Sequence, residues 1–301
     1  MRALAESGPV VALESTLIAQ GLPWPENLET ARGAEAAVRA VGGTPATIAV
    51  IGGRVVVGVG DDELERMARG GGFLKASRRD LAAAVAGGRD AATTVSATLW
   101  VARAVGIGVL ATGGLGGVHR DAAATFDVSN DLDELARADG ALVVCSGVKS
   151  ILDVPATLEA LETRGVAVVG HRTGDWPAFT STSSGIALES RVDSPAEAAA
   201  LVRAHRGLGL PGAIVLAQAV PGDVALDRDQ MELALADALA EARQRGLIGK
   251  ALTPFLLDRI RAATDGRSLR ANRALIVANA GLAGAVAAAL SCPAAGRPGT
   301  T

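Results

Sequence analysis

Lys149 closes the run Ala141-Leu-Val-Val-Cys-Ser-Gly-Val-Lys149. Small and β-branched residues followed by glycine read as a buried strand, and open α/β sheets place their chemistry just past the carboxyl ends of such strands. Desolvation disfavours an ammonium, so a lysine at a strand mouth can supply the neutral amine that attacks a carbonyl carbon or forms an imine. Near the start, Val10-Val-Ala-Leu-Glu14-Ser15-Thr16 brings a carboxyl group to the end of a second apolar strand, with two hydroxyls behind it. Such a carboxyl is a candidate general acid. A turn or helix-capping carboxylate has the same signature, and the motif alone leaves both open.

Three further segments carry polar chemistry. Leu74-Lys75-Ala-Ser77-Arg78-Arg79-Asp80 precedes a helical run with Ser77 as its N-cap. Free N–H groups beside cations suit a phosphate, although basic helix starts are commonly just solvated. Ala111-Thr112-Gly-Gly-Leu-Gly-Gly-Val-His119-Arg120 follows another strand and has glycine at four of the five positions 113–117. Such a loop lets backbone approach a phosphate or sugar, the reading that His119 favours over a flexible turn. It lacks the Gly-Lys-Ser/Thr ending of a P-loop and misses the dinucleotide-binding spacing. Thr125-Phe126-Asp127-Val-Ser129-Asn130-Asp131-Leu132 sets two carboxylates four residues apart among hydroxyl and amide groups. Oxygen donors without cysteine or clustered histidine suit a hard ion, Mg²⁺ or Mn²⁺, while Asp131 could equally cap a helix over 131–138.

These segments need a scaffold that presents strand ends. Apolar β-rich runs recur at 10–13, 46–52, 55–60, 107–111, 141–145, 166–171 and 213–217, with helical patterns at 27–41, 62–68, 77–86, 93–104, 131–138 and 155–164. The alternation predicts an α/β fold, a mixed but largely parallel sheet covered by helices on both faces, in one domain over 1–290. A hairpin around Gly52-Gly53-Arg54 makes the sheet mixed. After Ser194 the pattern turns helical, at 194–207, 227–245, 253–263 and 268–290, for packing on the sheet or at a subunit contact. The Pro-, Gly- and Ala-rich tail 291–301 reads as disordered.

Composition narrows the function. The chain has 301 residues, 49% hydrophobic, with 2% aromatic and no Tyr, so the core must be built of Ala, Val, Leu and Ile. A net charge of −3 without a Lys/Arg cluster offers no footprint for nucleic acid or an anionic membrane. Cys145 and Cys292 make neither a disulfide framework nor a zinc site. The N-terminus lacks a signal-peptide core, and no segment reads as approaching the roughly 20 apolar residues of a membrane span. A cytoplasmic enzyme with a small-molecule substrate is the expectation.

Taken together, ALEST, GLPWPEN, PATIAVIGG, KASRRDL, TVSAT, ATGGLGGVHR, TFDVSNDL, VVCSGVKSILD, DWPAF and GKALTPFLL resemble the pseudouridine-5′-phosphate glycosidase family, in order from about Val10 to Ala289. The resemblance implies Glu14 as proton donor and Lys149 as nucleophile. It implies substrate contacts at Lys75, Val95, Ser129, Asn130 and Asp131, and manganese at Asp127. Asn130 stands where some relatives have alanine. His119 and Asn272, the latter in a late helix, are added as polar contacts. A homotrimer and a separate sugar kinase that makes the substrate are implied as well.

The chemistry accounts for these parts. In pseudouridine a C–C bond joins ribose C1′ to uracil C5, so protonating a glycosidic nitrogen is no route to cleavage. Through the resemblance, acid-assisted ring opening lets a lysine add at C1′, protonation of C5 releases uracil, and water hydrolyses the imine to ribose 5-phosphate. The residues alone also suit a class I aldolase or lyase acting on a sugar phosphate, or a non-catalytic nucleotide-binding protein.

Overall fold

Strand β1 (Val10–Leu13) states the principle of the architecture: all four residues are buried, Val10 and Ala12 in one core cluster, Val11 and Leu13 in another. Side chains alternate across a strand, so an uninterrupted apolar run means a sheet covered on both faces. The computed structural model describes residues 8–247 and 252–292. The expected tail from 293 onward, the N-terminus 1–7 and the first residues of the GKALTPFLL motif lie outside the described residues.

The remaining strands are β2 (Thr44–Ile51), β3 (Arg54–Val57), β4 (Leu74–Ala76), β5 (Ala91–Thr93), β6 (Val109–Ala111), β7 (Val118–His119), β8 (Leu142–Cys145), β9 (Leu152–Asp153), β10 (Ala167–His171), β11 (Arg191–Val192) and β12 (Ile214–Gln218). The helices are α1 (Glu26–Ala40), α2 (Asp61–Ala68), α3 (Leu81–Ala86), α4 (Val95–Ala104), α5 (Ala122–Thr125), α6 (Asn130–Leu135), α7 (Val154–Thr163), α8 (Pro195–Gly207), α9 (Arg228–Gln244), α10 (Leu252–Ala263) and α11 (Arg267–Ser291).

The main sheet runs β11-β10-β12-β8-β6-β1-β2-β5-β4, parallel from β11 to β2. β3 folds back on β2 through Gly52 and Gly53, both at positive φ, the backbone a tight hairpin requires. β5 pairs antiparallel with β2, so the expected mixed, largely parallel sheet is present. Strands β4 and β5 have three residues each, too few to show a period, and lead into the runs expected as helices at 77–86 and 93–104. Ser77 caps there as expected, but over a single 3-10 turn that precedes α3. Ser129, and not Asp131, caps α6.

One face carries α1, α8 and α11; the other carries α3, α4, α6 and α7 and is continued by α9 and α10. By length and composition α11 could cross a membrane, which corrects the expectation that no segment reaches that length. It is a core helix: Ala271, Leu275, Ala280, Ala283 and Val286 are buried beside β1, β6 and β8.

Asn279, fully buried on α11, fastens this helix to the sheet. Its Nδ2 donates to the carbonyl of Thr112 at 2.9 Å and to Ser146 Oγ at 3.1 Å, and its Oδ1 accepts from Gln218 Nε2 at 3.3 Å. The carboxyl ends of β6, β8 and β12 thus share one amide. Asn279→Ala strands these buried partners, each at about 1–3 kcal/mol, so denaturant unfolding should show a loss of roughly 2 kcal/mol or more. A loss below about 0.5 kcal/mol would assign the amide no structural role.

Candidate active site

Register aligns Leu13 with Ala111 and Ala111 with Val144, so β1, β6 and β8 end side by side. Glu14 follows β1 directly and is buried. Its Oε2 accepts from Thr16 Oγ1 and its Oε1 from Thr112 Oγ1, the first residue of the glycine loop after β6. Hydroxyls donate and accept, so this pair can solvate either protonation state of the carboxyl without moving heavy atoms. Beyond Glu14, β1 and β5 meet end to end along β2, and hydroxyls seal the junction. Ser15 Oγ and Thr93 Oγ1 donate to the Ile48 carbonyl at 2.7 and 2.6 Å, and Thr93 N–H donates to Ser15 Oγ at 2.8 Å. The chain leaves this junction in a π-helical turn over Leu17–Gly21.

Lys149 lies four residues beyond β8 and is half-buried. Gly147 makes the turn possible: its φ is +83°, and a Cβ there would fall 2.2 Å from the Pro177 carbonyl oxygen. Leu115 N–H donates to the Gly147 carbonyl at 3.0 Å and Lys149 N–H to the Leu115 carbonyl at 3.1 Å, locking the lysine backbone to the glycine loop. Burial pushes the Cys145 thiol at the end of β8 up to about 12, leaving it inert.

Gly113, Gly114 and Gly116 line the chambers described below, and close packing also requires glycine in this loop. A Cβ at Gly114 would meet Phe179 at 2.7 Å, one at Gly116 would meet Ser129 Oγ at 2.2 Å, and one at Gly117 would meet Thr157 Oγ1 at 2.4 Å. Close approach of protein to protein accounts for these glycines.

Two chambers meet at Lys75 and Lys149. The first, about 340 Å³, is polar and lined by Lys75, Arg79, His119, Asp127, Asn130 and Asp131, among others. The second, about 60 Å³, is more apolar; Glu14, Gln20, Leu22, Phe179, Leu257 and Asn272 contribute to its wall. Gln20, Leu22, Phe179, Leu257 and Asn272 also line a neighbouring cavity of about 220 Å³.

Within the polar chamber the expected residues part ways. Asp131 has both oxygens occupied, Oδ1 by Ser96 N–H and Oδ2 by Gly116 N–H, each at 2.9 Å, and so joins the start of α4 to the glycine loop. Val95 is the first residue of α4 and its side chain is buried, so only its main chain could meet a ligand; Thr94 and Ser96 line the chamber in its place. Ser129 accepts from Asp131 N–H. Asn130 keeps a buried Oδ1 without a partner. Arg78 turns away to the fully buried Glu134, 3.2 Å off, whose pKa burial raises against the pull of Arg78 and Arg103.

His119 Nε2 lies 3.8 Å from Asp127 Oδ2. Burial holds the imidazole below the usual histidine range; Asp127 opposes this, while Lys75 and Lys149 add to it. Among the described residues no three His, Cys, Asp or Glu gather into a metal cage. Asp127 and the unpartnered Asn130 Oδ1 line the same chamber and are oxygen donors of the kind a hard ion takes. Gln20, Thr112, Asn279 and the Ser15–Thr93 pair escape a sequence reading. Ser15 and Thr112 lie within motifs, and Gln20 and Thr93 each directly precede one, but nothing local marks their tertiary partners.

Comparison with known proteins gives this geometry a family. The model of the family "Indigoidine synthase A like protein" matches residues 1–289. A pseudouridine-5′-phosphate glycosidase from Caldanaerobacter subterraneus subsp. tengcongensis is 51% identical over 96% of this chain and 94% of its own length. One from Herpetosiphon aurantiacus is 53% identical over 96% and 95%. The crystal structure of the prealnumycin C-glycosynthase AlnA in complex with ribulose 5-phosphate superposes with a TM-score of 0.87 at 42% identity, covering 96% of this chain and 94% of that one. An indigoidine synthase A-like protein from Thermotoga maritima gives a TM-score of 0.87 at 39% identity, covering 94% of each. With its strand-end lysine and carboxyl on the same fold, this chain belongs to the indigoidine synthase A like family.

Proposed function

We propose that the chain is a pseudouridine-5′-phosphate glycosidase, reversibly converting pseudouridine 5′-phosphate and water to uracil and ribose 5-phosphate. The observation that carries this reading is the position of Lys149, with Lys75, where a polar chamber of mixed charge meets a more apolar one holding Glu14. Sugar phosphate suits the first, with Lys75, Ser129 and the Val95 main chain as contacts and Asn130 offering a free amide oxygen. A flat, weakly polar base suits the second. C1′ then falls near the shared lysine. The names of the relatives and the ribulose 5-phosphate bound to AlnA support the same substrate class.

The steps balance around one carboxyl. Glu14 protonates the ring oxygen as the C1′–O4′ bond opens and the Lys149 amine adds to C1′; the surplus proton of the amine returns to Glu14. The C1′–C5 bond then breaks, its electron pair going to C5, which takes the proton from Glu14, while the nitrogen lone pair forms the imine. Water adds to the imine carbon and expels the lysine, restoring the Glu14 proton and leaving ribose 5-phosphate. Glu14 is the only carboxyl lining its chamber among the described residues. His119 and Asp131 orient the sugar side, Asp131 through the amides it holds. A divalent ion such as Mn²⁺, held through Asp127, would supply positive charge for the phosphate and hydroxyl oxygens. A homotrimer in the cytoplasm, fed by a separate sugar kinase, completes the proposal on the strength of the sequence resemblance.

Uracil release from pseudouridine 5′-phosphate is the test. An aldolase or lyase of other sugar phosphates gives none, and a silent binder gives association without turnover. Lys149→Ala should abolish release with an unchanged melting temperature; retained release would remove Lys149 as nucleophile. Glu14→Gln keeps the shape and loses the transferable proton, so turnover should fall by roughly 10²–10⁴-fold with substrate affinity much less affected. Near-normal turnover across pH would make Glu14 structural. Chelation should remove activity and Mn²⁺ restore it, and Asp127→Ala should weaken Mn²⁺ binding measured by calorimetry more than it alters stability. Full activity of protein verified free of metal would count against the ion.

A further inference from the structure

Gln20 sits in the isolated π-helical turn after Glu14. Its Nε2 donates to the Phe73 carbonyl at 2.9 Å. A carbonyl can be met only by the amide nitrogen, which fixes which end of the amide is which. Oε1 is therefore the other end, and it is buried without a hydrogen-bond partner. Gln20 lines the chamber of Glu14, Lys149 and Asn272 and the cavity adjoining it. An orphaned carbonyl oxygen on a side chain that borders a largely apolar chamber costs folding free energy unless a ligand donor satisfies it.

A sugar phosphate carries no N–H. Uracil carries two, at N1 and N3, beside carbonyls at C2 and C4, and both N–H groups remain free when the ribose is joined at C5. Asn272 lines the same chamber and has no side-chain hydrogen bond among the described residues, so its amide is free to face a base carbonyl. Resting on the glycosidase reading above, we propose that Gln20 is a specificity-determining residue: its Oε1 accepts a hydrogen bond from a ring N–H of the base and selects bases that present that donor. Phe73 holds the acceptor in place before the base arrives, so little rotamer freedom is lost on binding.

The test uses the condensation direction, in which base and sugar phosphate are separate substrates. Gln20→Met keeps the length of the side chain and removes the acceptor, leaving a base N–H unpaired in the chamber. KM for uracil should rise about tenfold or more, while KM for ribose 5-phosphate and the yield of borohydride-trapped ribose 5-phosphate adduct stay at wild-type levels. Wild-type enzyme should also discriminate between uracil and one of 1-methyluracil and 3-methyluracil, and the variant should lose most of that discrimination. Unchanged KM for uracil and unchanged discrimination in a variant that still forms the adduct would overturn the role of Gln20. Wild-type enzyme that accepts both methylated bases as readily as uracil would overturn it without any variant. Failure of wild-type protein to form the adduct would instead sink the glycosidase reading beneath it.

Discussion

Backbone pairing among β1, β6 and β8 is the constraint on which the site depends. Parallel ladders fix the register, so the strands stop at one level and the residues after them are delivered side by side. Glu14 and the glycine loop emerge from neighbouring strands, and the hydroxyl of Thr112 bridges them. Lys149 comes from the third, held through Leu115 to the same loop. A one-residue slip in any pair would turn these side chains to the opposite face. Asn279 guards against such slippage from below, since it engages the ends of β6, β8 and β12 at once.

A second constraint is the division of polarity on the two sides of Lys149. Charged side chains of both signs and the Asn130 amide line the larger chamber, while leucines, Phe179 and two amide side chains line the smaller, with Lys75 and Lys149 on the border of both. Such a division orients an amphiphilic substrate without a contact to every atom. The carboxylates divide their labour similarly: Asp131 and Glu134 are engaged in holding the α4 start, the glycine loop, Arg78 and Arg103, while Asp127 and Glu14 stand on the walls of the two chambers.

Strand ends carrying a lysine and a carboxyl were legible in the sequence because apolar runs and their terminal polar residues are local features. The alternation of strands and helices likewise disclosed the sheet and its coverage. Short elements were not legible: β4 and β5 are held by pairing to each other and to β2, and not by any pattern of their own. The glycines at 113–117 announced close approach but not that protein side chains, Phe179, Ser129 and Thr157 among them, are what approach. Asp127 and Asp131 look equivalent in sequence; amides from Ser96 and Gly116 distinguish them, contacts that span 35 and 15 residues. Asn279 reads as an ordinary helix polar residue and Gln20 falls in no expected element, so only tertiary contacts give either a role.

Identification of the amine that holds the sugar is the most direct measurement of the central claim. Wild-type protein incubated with ribose 5-phosphate and reduced with borohydride should carry one pentose phosphate on the peptide containing Lys149 when digested and mapped by mass spectrometry. An adduct on Lys75 with none on Lys149 would contradict the account.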